Sequence, residues 1–181
     1  MKRIGTFLAA VMLLSFSCTK EEVKLRYSRQ EENIESFINS VLAANDSAYV
    51  VHNKGVSRLV VRRGAGDSLR GGEVVFYYSG YVLSGSSVNI STMFTTNDKA
   101  HADSIGWKVS DPSSFAPAHI DTEDKDVIGG LRYGLEGVRA GEESYILFSG
   151  KYGFGKKPLG TIPANSALAY YVRIEEISDR K

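Results

Sequence analysis

Beyond Ser28, apolar residues recur at Ile34, Phe37, Ile38, Val41 and Leu42 with polar residues between them, the spacing of one helical face. Ser28-Arg29-Gln30-Glu31 has the form of a capping box, in which Ser28 caps and Glu31 reaches back. The pattern predicts an amphipathic helix from Arg29 to Ala44 whose stripe packs on the following domain. After Asn45 the apolar runs shorten. Ala48–Val51 and Val56–Val61 flank Asn53-Lys54-Gly55, a turn signal, and read as paired strands. Glu73–Leu83, Glu143–Ser149 and Ala167–Ile177 are the strongest strands by their Val, Tyr and Phe content. Ala118-His119-Ile120 reads as a brief strand, with Pro112 and Pro117 marking an irregular or edge segment. Leu131, Leu135 and Val138 form the inward face of a short helix from Leu131 to Arg139, and Gly134 lets it approach a strand closely. One short helix against antiparallel strands is an α+β pattern and not a βαβ one.

The first residues do not belong to this pattern. Lys2-Arg3 precedes an apolar run from Ile4 to Phe16, too short to span a bilayer and suited to a secretory leader. It ends Leu14-Ser15-Phe16-Ser17-Cys18, which resembles the bacterial lipobox. The expected organisation is a signal peptide over residues 1–17, a tether and the amphipathic helix over 18–47, and one domain over 48–181. Cys18 would be the lipidated first residue of the mature protein, giving a lipid-anchored location in the cell envelope, on the periplasmic side or the surface of an outer membrane. Acyl chains add about 0.8 kcal/mol of membrane affinity per buried methylene, so several on one cysteine hold firmly.

Composition narrows the chemistry. Hydrophobic residues make up 43% of the 181-residue chain, enough for one well-formed core. The net charge is +1; losing Lys2 and Arg3 with a leader reduces 22 basic residues to 20 against 21 acidic ones. No basic field points to nucleic acid. The single cysteine, Cys18, directly follows the leader, so the folded part has no disulfide and no cysteine nucleophile. His52, His101 and His119 lack metal-ligand spacing. The acidic turn Asp121–Asp126 lacks the spacing of a calcium loop, and no cofactor is implied.

The stretch from Val127 to Gly155 holds eight of the 18 glycines. Its end, Gly150-Lys151-Tyr152-Gly153-Phe154-Gly155-Lys156-Lys157, imitates a phosphate-binding loop. Lys157 stands where that loop needs a hydroxyl, however, and Pro158, Gly160 and Pro163 oppose the helix that must follow. The loop is better read as an apolar flap. Val127–Ile128 and Tyr152–Phe154 are expected to face each other across a pocket.

The ordered set Tyr78-Ser79-Gly80, Val127-Ile128 with Gly130, Gly134-Leu135, Gly141-Glu142, Tyr152-Gly153-Phe154-Gly155, Ile162-Pro163 and Leu168 resembles the FKBP-type peptidyl-prolyl cis-trans isomerases from Val56 to Ile177. With the leader, it resembles the FKBP lipoproteins of the Bacteroidetes. The resemblance implies a twisted antiparallel sheet wrapped around one short helix, with a proline pocket between them. It implies Tyr78, Ile128 and Phe154 as catalytic residues, the Ile128 N–H meeting a substrate carbonyl. Phe94, Val127, Leu131, Ile162 and Tyr170 would complete the pocket. Leu131 replaces the family's pocket-floor Trp, and Phe154 lacks the hydroxyl of the family's Tyr. The family's Phe-Asp pair falls either on Phe94-Thr95, which keeps the aromatic, or on Val88-Asn89; the Asp is absent in both. Without gaps, the next pocket aromatic falls on Ala118. The function implied is prolyl isomerisation in exported, proline-containing polypeptides, with macrolides as ligands. The alternative is a catalytically weak or inactive peptide-binding chaperone module of the same fold.

Overall fold

A computed structural model of the chain describes residues 20–109 and 111–180. Cys18 and the expected leader lie outside the described residues. The elements are α1 (Lys20–Ala44), β1 (Tyr49–Asn53), β2 (Val56–Arg62), β3 (Gly72–Val82), β4 (Met93–Thr96), α2 (Lys99–Ser104), β5 (Ala118–Asp121), α3 (Gly129–Leu135), β6 (Glu143–Phe148) and β7 (Leu168–Asp179). They build one seven-stranded antiparallel sheet in the order β1-β2-β6-β7-β3-β4, with β5 pairing further along β3. This is the α+β sheet-and-helix architecture expected from the sequence. Among the described residues no helix is long and apolar enough to cross a membrane.

The sheet is covered on both faces, which explains its near-continuous apolar strands. On β6, Ile146 and Phe148 enter a core beneath α3 while Leu147 enters a second core beneath α1. On β7, Leu168, Tyr170, Val172 and Ile174 face α3, and Ala169 faces α1. Helix α1 packs through Ile34, Phe37 and Ile38, as its spacing predicts. Burying three such side chains stabilises the docked helix by roughly 1.5–3 kcal/mol each.

Two expectations need correction. Helix α1 is already formed at Lys20, nine residues before the predicted start, so residues 20–28 are helical and Ser28 lies inside the helix. Lys20 to Tyr27 contains no glycine or proline to stop propagation, and Glu21 and Glu22 suit a first turn. Helix α3 ends at Leu135 instead of Arg139. There Gly137 takes φ +76°, and the Arg58 guanidinium donates to the carbonyls of Gly134, Glu136 and Gly137, acceptors that a longer helix would have used. Between β3 and β5, Met93–Thr96 is a strand and Lys99–Ser104 a helix capped by the Asp98 side chain.

Close approach of α3 to the sheet depends on two glycines. A Cβ at Gly134 would lie 2.2 Å from Ile146 Cγ2, and one at Gly130 would lie 2.4 Å from the Phe148 ring. Gly134→Ala is expected to cost about 1–3 kcal/mol, because a fully buried Ile146 has nowhere to move. A denaturant melt with a midpoint equal to wild type would contradict this packing.

Candidate active site

Strands β3, β4 and β5, the start of α3 and the two loops between β6 and β7 enclose a cleft of about 440 Å³. Phe76 and Tyr78 from β3, Phe94 and Thr95 from β4, Ala118 and Ile120 from β5, and Tyr170 from β7 form its sheet side. Leu131 reaches it from α3, and Phe154, Leu159, Gly160, Thr161 and Ile162 close the loop side.

The sheet wall is set by a buried amide that the sequence did not single out. Asn97 accepts the Tyr78 N–H at 2.5 Å and donates to the carbonyls of Phe76 (3.3 Å) and Ala116 (3.0 Å). It thus fastens the end of β4 to β3 and to the segment entering β5. Thr96 donates to the Tyr78 carbonyl at 2.9 Å and meets Ser79 Oγ at 2.8 Å. With both backbone groups of Tyr78 tied down, its ring is fixed against Phe76 and Tyr170, at centroid distances of 5.8 and 5.9 Å. Phe94 meets Tyr170 edge-on at 5.8 Å, and Phe148 stacks beneath Tyr170 at 6.0 Å. Such ring pairs add about 0.5–1.5 kcal/mol each beyond burial and hold the wall rigid.

The loop wall is a flap. Gly150–Tyr152 forms a single 3₁₀ turn, Gly155 follows with φ +81°, and Phe154 between them is presented to the cleft. Leu159 and Ile162 exchange backbone hydrogen bonds at 2.9 Å, which turns the next loop back so that Ile162 is buried while Leu159 stays exposed. Phe154 and Leu159 are 37% and 54% exposed, leaving an apolar rim at the mouth.

Of the eight residues expected at the site, Tyr78, Phe94, Leu131, Phe154, Ile162 and Tyr170 share this cleft, whereas Val127 and Ile128 do not line it. The choice between Phe94 and Val88 resolves to Phe94; Val88 packs against the core under α1. Tyr152 does not face Val127–Ile128 across a pocket either. Its ring meets Tyr133 edge-on and lies over Gly55 and beside Gly129, outside the lining of the cleft. Ile128 instead caps α3: its carbonyl accepts from the Arg132 N–H at 3.1 Å, and its own N–H makes no hydrogen bond among the described residues. That free donor lies one helical turn before Leu131, which is in the cleft.

Among the described residues, no charged side chain lines the cleft. Burial, with the Tyr78 phenol nearby, pushes the Tyr170 hydroxyl well above the usual phenol range, so it stays neutral. Chemistry run by such a site needs no titrating group. Turnover is therefore expected to be flat between about pH 5.5 and pH 8.5, the range in which a histidine or a perturbed carboxylate would titrate. A bell-shaped profile would require a histidine, carboxylate or other charged group, none of which lines the cleft among the described residues.

These features match known proteins. A profile of the FKBP-type peptidyl-prolyl cis-trans isomerase family matches residues 67–175, more than half of the chain. FK506-binding protein 1 of Aspergillus oryzae is 28% identical over 125 residues, which cover 68% of this chain and 99% of that protein. Among solved structures, the three FKBP domains of wheat FKBP73 superpose with a TM-score of 0.54 at 19% identity, covering 74% of this chain and 50% of that one. FkpA from Escherichia coli gives 0.54 at 18% identity, covering 86% and 62%. The chain thus spans between half and two thirds of those two structures, and at such identity they establish the fold. The chain belongs to the FKBP-type peptidyl-prolyl cis-trans isomerases. Strands β1 and β2 and helix α1 all precede the matched stretch.

Proposed function

We propose that the chain accelerates X–Pro rotation in exported polypeptides while held at the cell envelope by lipid on Cys18. Rotation must cross a barrier of about 18–20 kcal/mol and takes tens to hundreds of seconds unaided. Twisting the amide breaks its resonance and weakens the carbonyl dipole. A dry aromatic cleft disfavours the planar, more polar form, while a fixed donor holds the acyl carbonyl as the ring turns. No bond to the protein forms, so the rate gain is differential binding of the twisted amide.

The residues divide by role. Tyr78, Phe94, Tyr170 and Leu131 receive the proline ring, Phe154 and Ile162 cover it, and Ile128 supplies the N–H, with Val127 shaping the approach to that donor. The observation that carries this reading is the uncharged aromatic cleft beside an unengaged backbone donor at the start of α3. The macrolide recorded in the name of the Aspergillus relative would compete for the same cleft.

A second reading, a weak or inactive peptide-binding module, is favoured by one feature: Leu131, Ala118 and Thr95 all line the cleft where the family resemblance leads one to expect Trp, an aromatic and Asp. Exchange NMR on a proline tetrapeptide separates the two. Line broadening or cross-peaks showing faster cis–trans exchange with folded protein is the expected result. Saturable binding without acceleration would overturn catalysis and leave the module. For the anchor, a Cys18→Ala chain is expected in the soluble fraction of the producing cell, and membrane retention equal to wild type would overturn lipidation.

A further inference from the structure

We propose that Gln30 of α1 is a positioning residue for the prolyl isomerase site, acting through the two loops that carry Phe154 and Ile162; this rests on the isomerase reading above. Helix α1 lies outside the stretch matched by the family, on the sheet face opposite α3, yet its side chains reach around the sheet end to the loop wall of the cleft. Tyr27, Gln30 and Ile34 fall on one helical face, and Ile34 is buried against the sheet, so the position of Gln30 is fixed by packing one turn away.

The Gln30 amide bridges two backbones. It accepts the Gly150 N–H at 2.9 Å and donates to the Asn165 carbonyl at 2.7 Å. Because both partners are backbone groups of fixed sense, only one amide orientation satisfies them. Tyr27 adds a donor to Asn165 Oδ1 at 2.9 Å. Asn165 sits at φ +55° and donates its own N–H to the Gly155 carbonyl at 2.8 Å. The loops touch so closely here that a Cβ on Gly150 would lie 2.3 Å from the Asn165 carbonyl oxygen. Gly150, Gly155 and Asn165 thus form one block, closed by Gln30. Phe154 immediately precedes Gly155, and Ile162 lies three residues before Asn165. Both loop-side walls of the cleft therefore take their position from a helix on the far face of the sheet.

Two substitutions in the full chain test this. Gln30→Ala removes both bonds. Gln30→Glu keeps the acceptor for Gly150 but sets an oxygen against the Asn165 carbonyl until the carboxyl is protonated. With exchange NMR, which needs no coupling protease, kcat/KM is expected to fall about ten- to a hundredfold in Gln30→Ala. In Gln30→Glu the deficit should shrink as the pH is lowered from about 7 to about 5.5, where wild type stays flat. A helix that merely stabilises the fold would give no such pH-dependent recovery. An unchanged kcat/KM in Gln30→Ala, or a Gln30→Glu deficit independent of pH, would overturn the proposal. If wild type itself fails to isomerise the peptide, that counts against the isomerase reading alone. The peptide Kd by NMR titration then decides, with weaker binding and the same pH recovery expected, and equal Kd values in wild type and Gln30→Ala overturning it.

Discussion

Replacing Ile128 with proline is expected to lower kcat/KM for a proline peptide by about a hundredfold, whereas Ile128→Val leaves it within about threefold. Removing one preorganised backbone donor from an acyl-transfer site costs about 10²–10³ in rate, and a carbonyl held during amide rotation is a milder version of that demand. The substitution is unusually clean at this position. Ile128 has φ −54°, inside the range fixed by the proline ring. Its N–H bonds to nothing among the described residues, so no structural hydrogen bond is lost, and its carbonyl still receives the Arg132 N–H. The preceding Val127 is β-branched and tolerates the extended backbone that a following proline demands. The valine variant keeps the donor while trimming the side chain that packs on the core. Equal losses in both variants would mean that packing at the start of α3 matters and the donor does not. Full activity in the proline variant, with an unchanged thermal midpoint, would remove Ile128 from the mechanism.

The loop wall of this site was easier to read than the sheet wall, for a physical reason. Gly150 to Ile162 is a local loop whose glycines and prolines mark it as a flap, so sequence order alone identifies Phe154 and Ile162 as its wall residues, although what holds the loop in place is remote. The sheet wall depends on how β4 registers against β3. That register shifts between Gly80 and Tyr81, and a bulge cannot be seen in an alternating pattern. Hence Phe94 and Val88 were both open until the strand pairing placed Phe94 in the cleft. Strands β3 and β7 were legible almost to their ends because they are long, aromatic and β-branched. The start of α1 was not, because a capping box occurred inside a segment already able to be helical. Asn97 and Gln30 were missed for a shared reason. Each is an ordinary polar residue whose partners lie 19 to 135 positions away, and neither carries a local signal.

Arg58→Met is expected to destabilise the fold by about 3–5 kcal/mol, while Glu142→Gln costs less, about 1–3 kcal/mol. The two side chains form a buried ion pair, 6% and 1% exposed, with Arg58 Nε 3.2 Å from Glu142 Oε1. That contact lacks hydrogen-bond geometry. Burial accordingly outweighs the pairing on both sides: it pushes the Glu142 carboxyl above its ordinary value and pulls the Arg58 guanidinium below its own. The pair itself is therefore a poor source of stability, and neutralising Glu142 costs less than removing Arg58 because the guanidinium left behind keeps three carbonyl acceptors. Arg58 matters for its other donors. They satisfy the Gly134, Glu136 and Gly137 carbonyls, stop α3 after Leu135, and so fix where its first turn presents Ile128 and Leu131. Methionine fills the volume but orphans those carbonyls and leaves Glu142 charged and unpaired. The pH dependence follows from the sign of the shift. A carboxyl whose folded pKa is raised contributes stability that is present below the unfolded pKa and is lost as the pH rises through the folded one. Without Arg58 the shift grows, so the deficit of Arg58→Met relative to wild type should narrow as the pH falls through the carboxylate range. Urea melts at neutral pH and about pH 4.5 provide the check. A deficit that stays constant or widens on acidification would mean that the orphaned carbonyls carry the whole cost and the buried charge none of it.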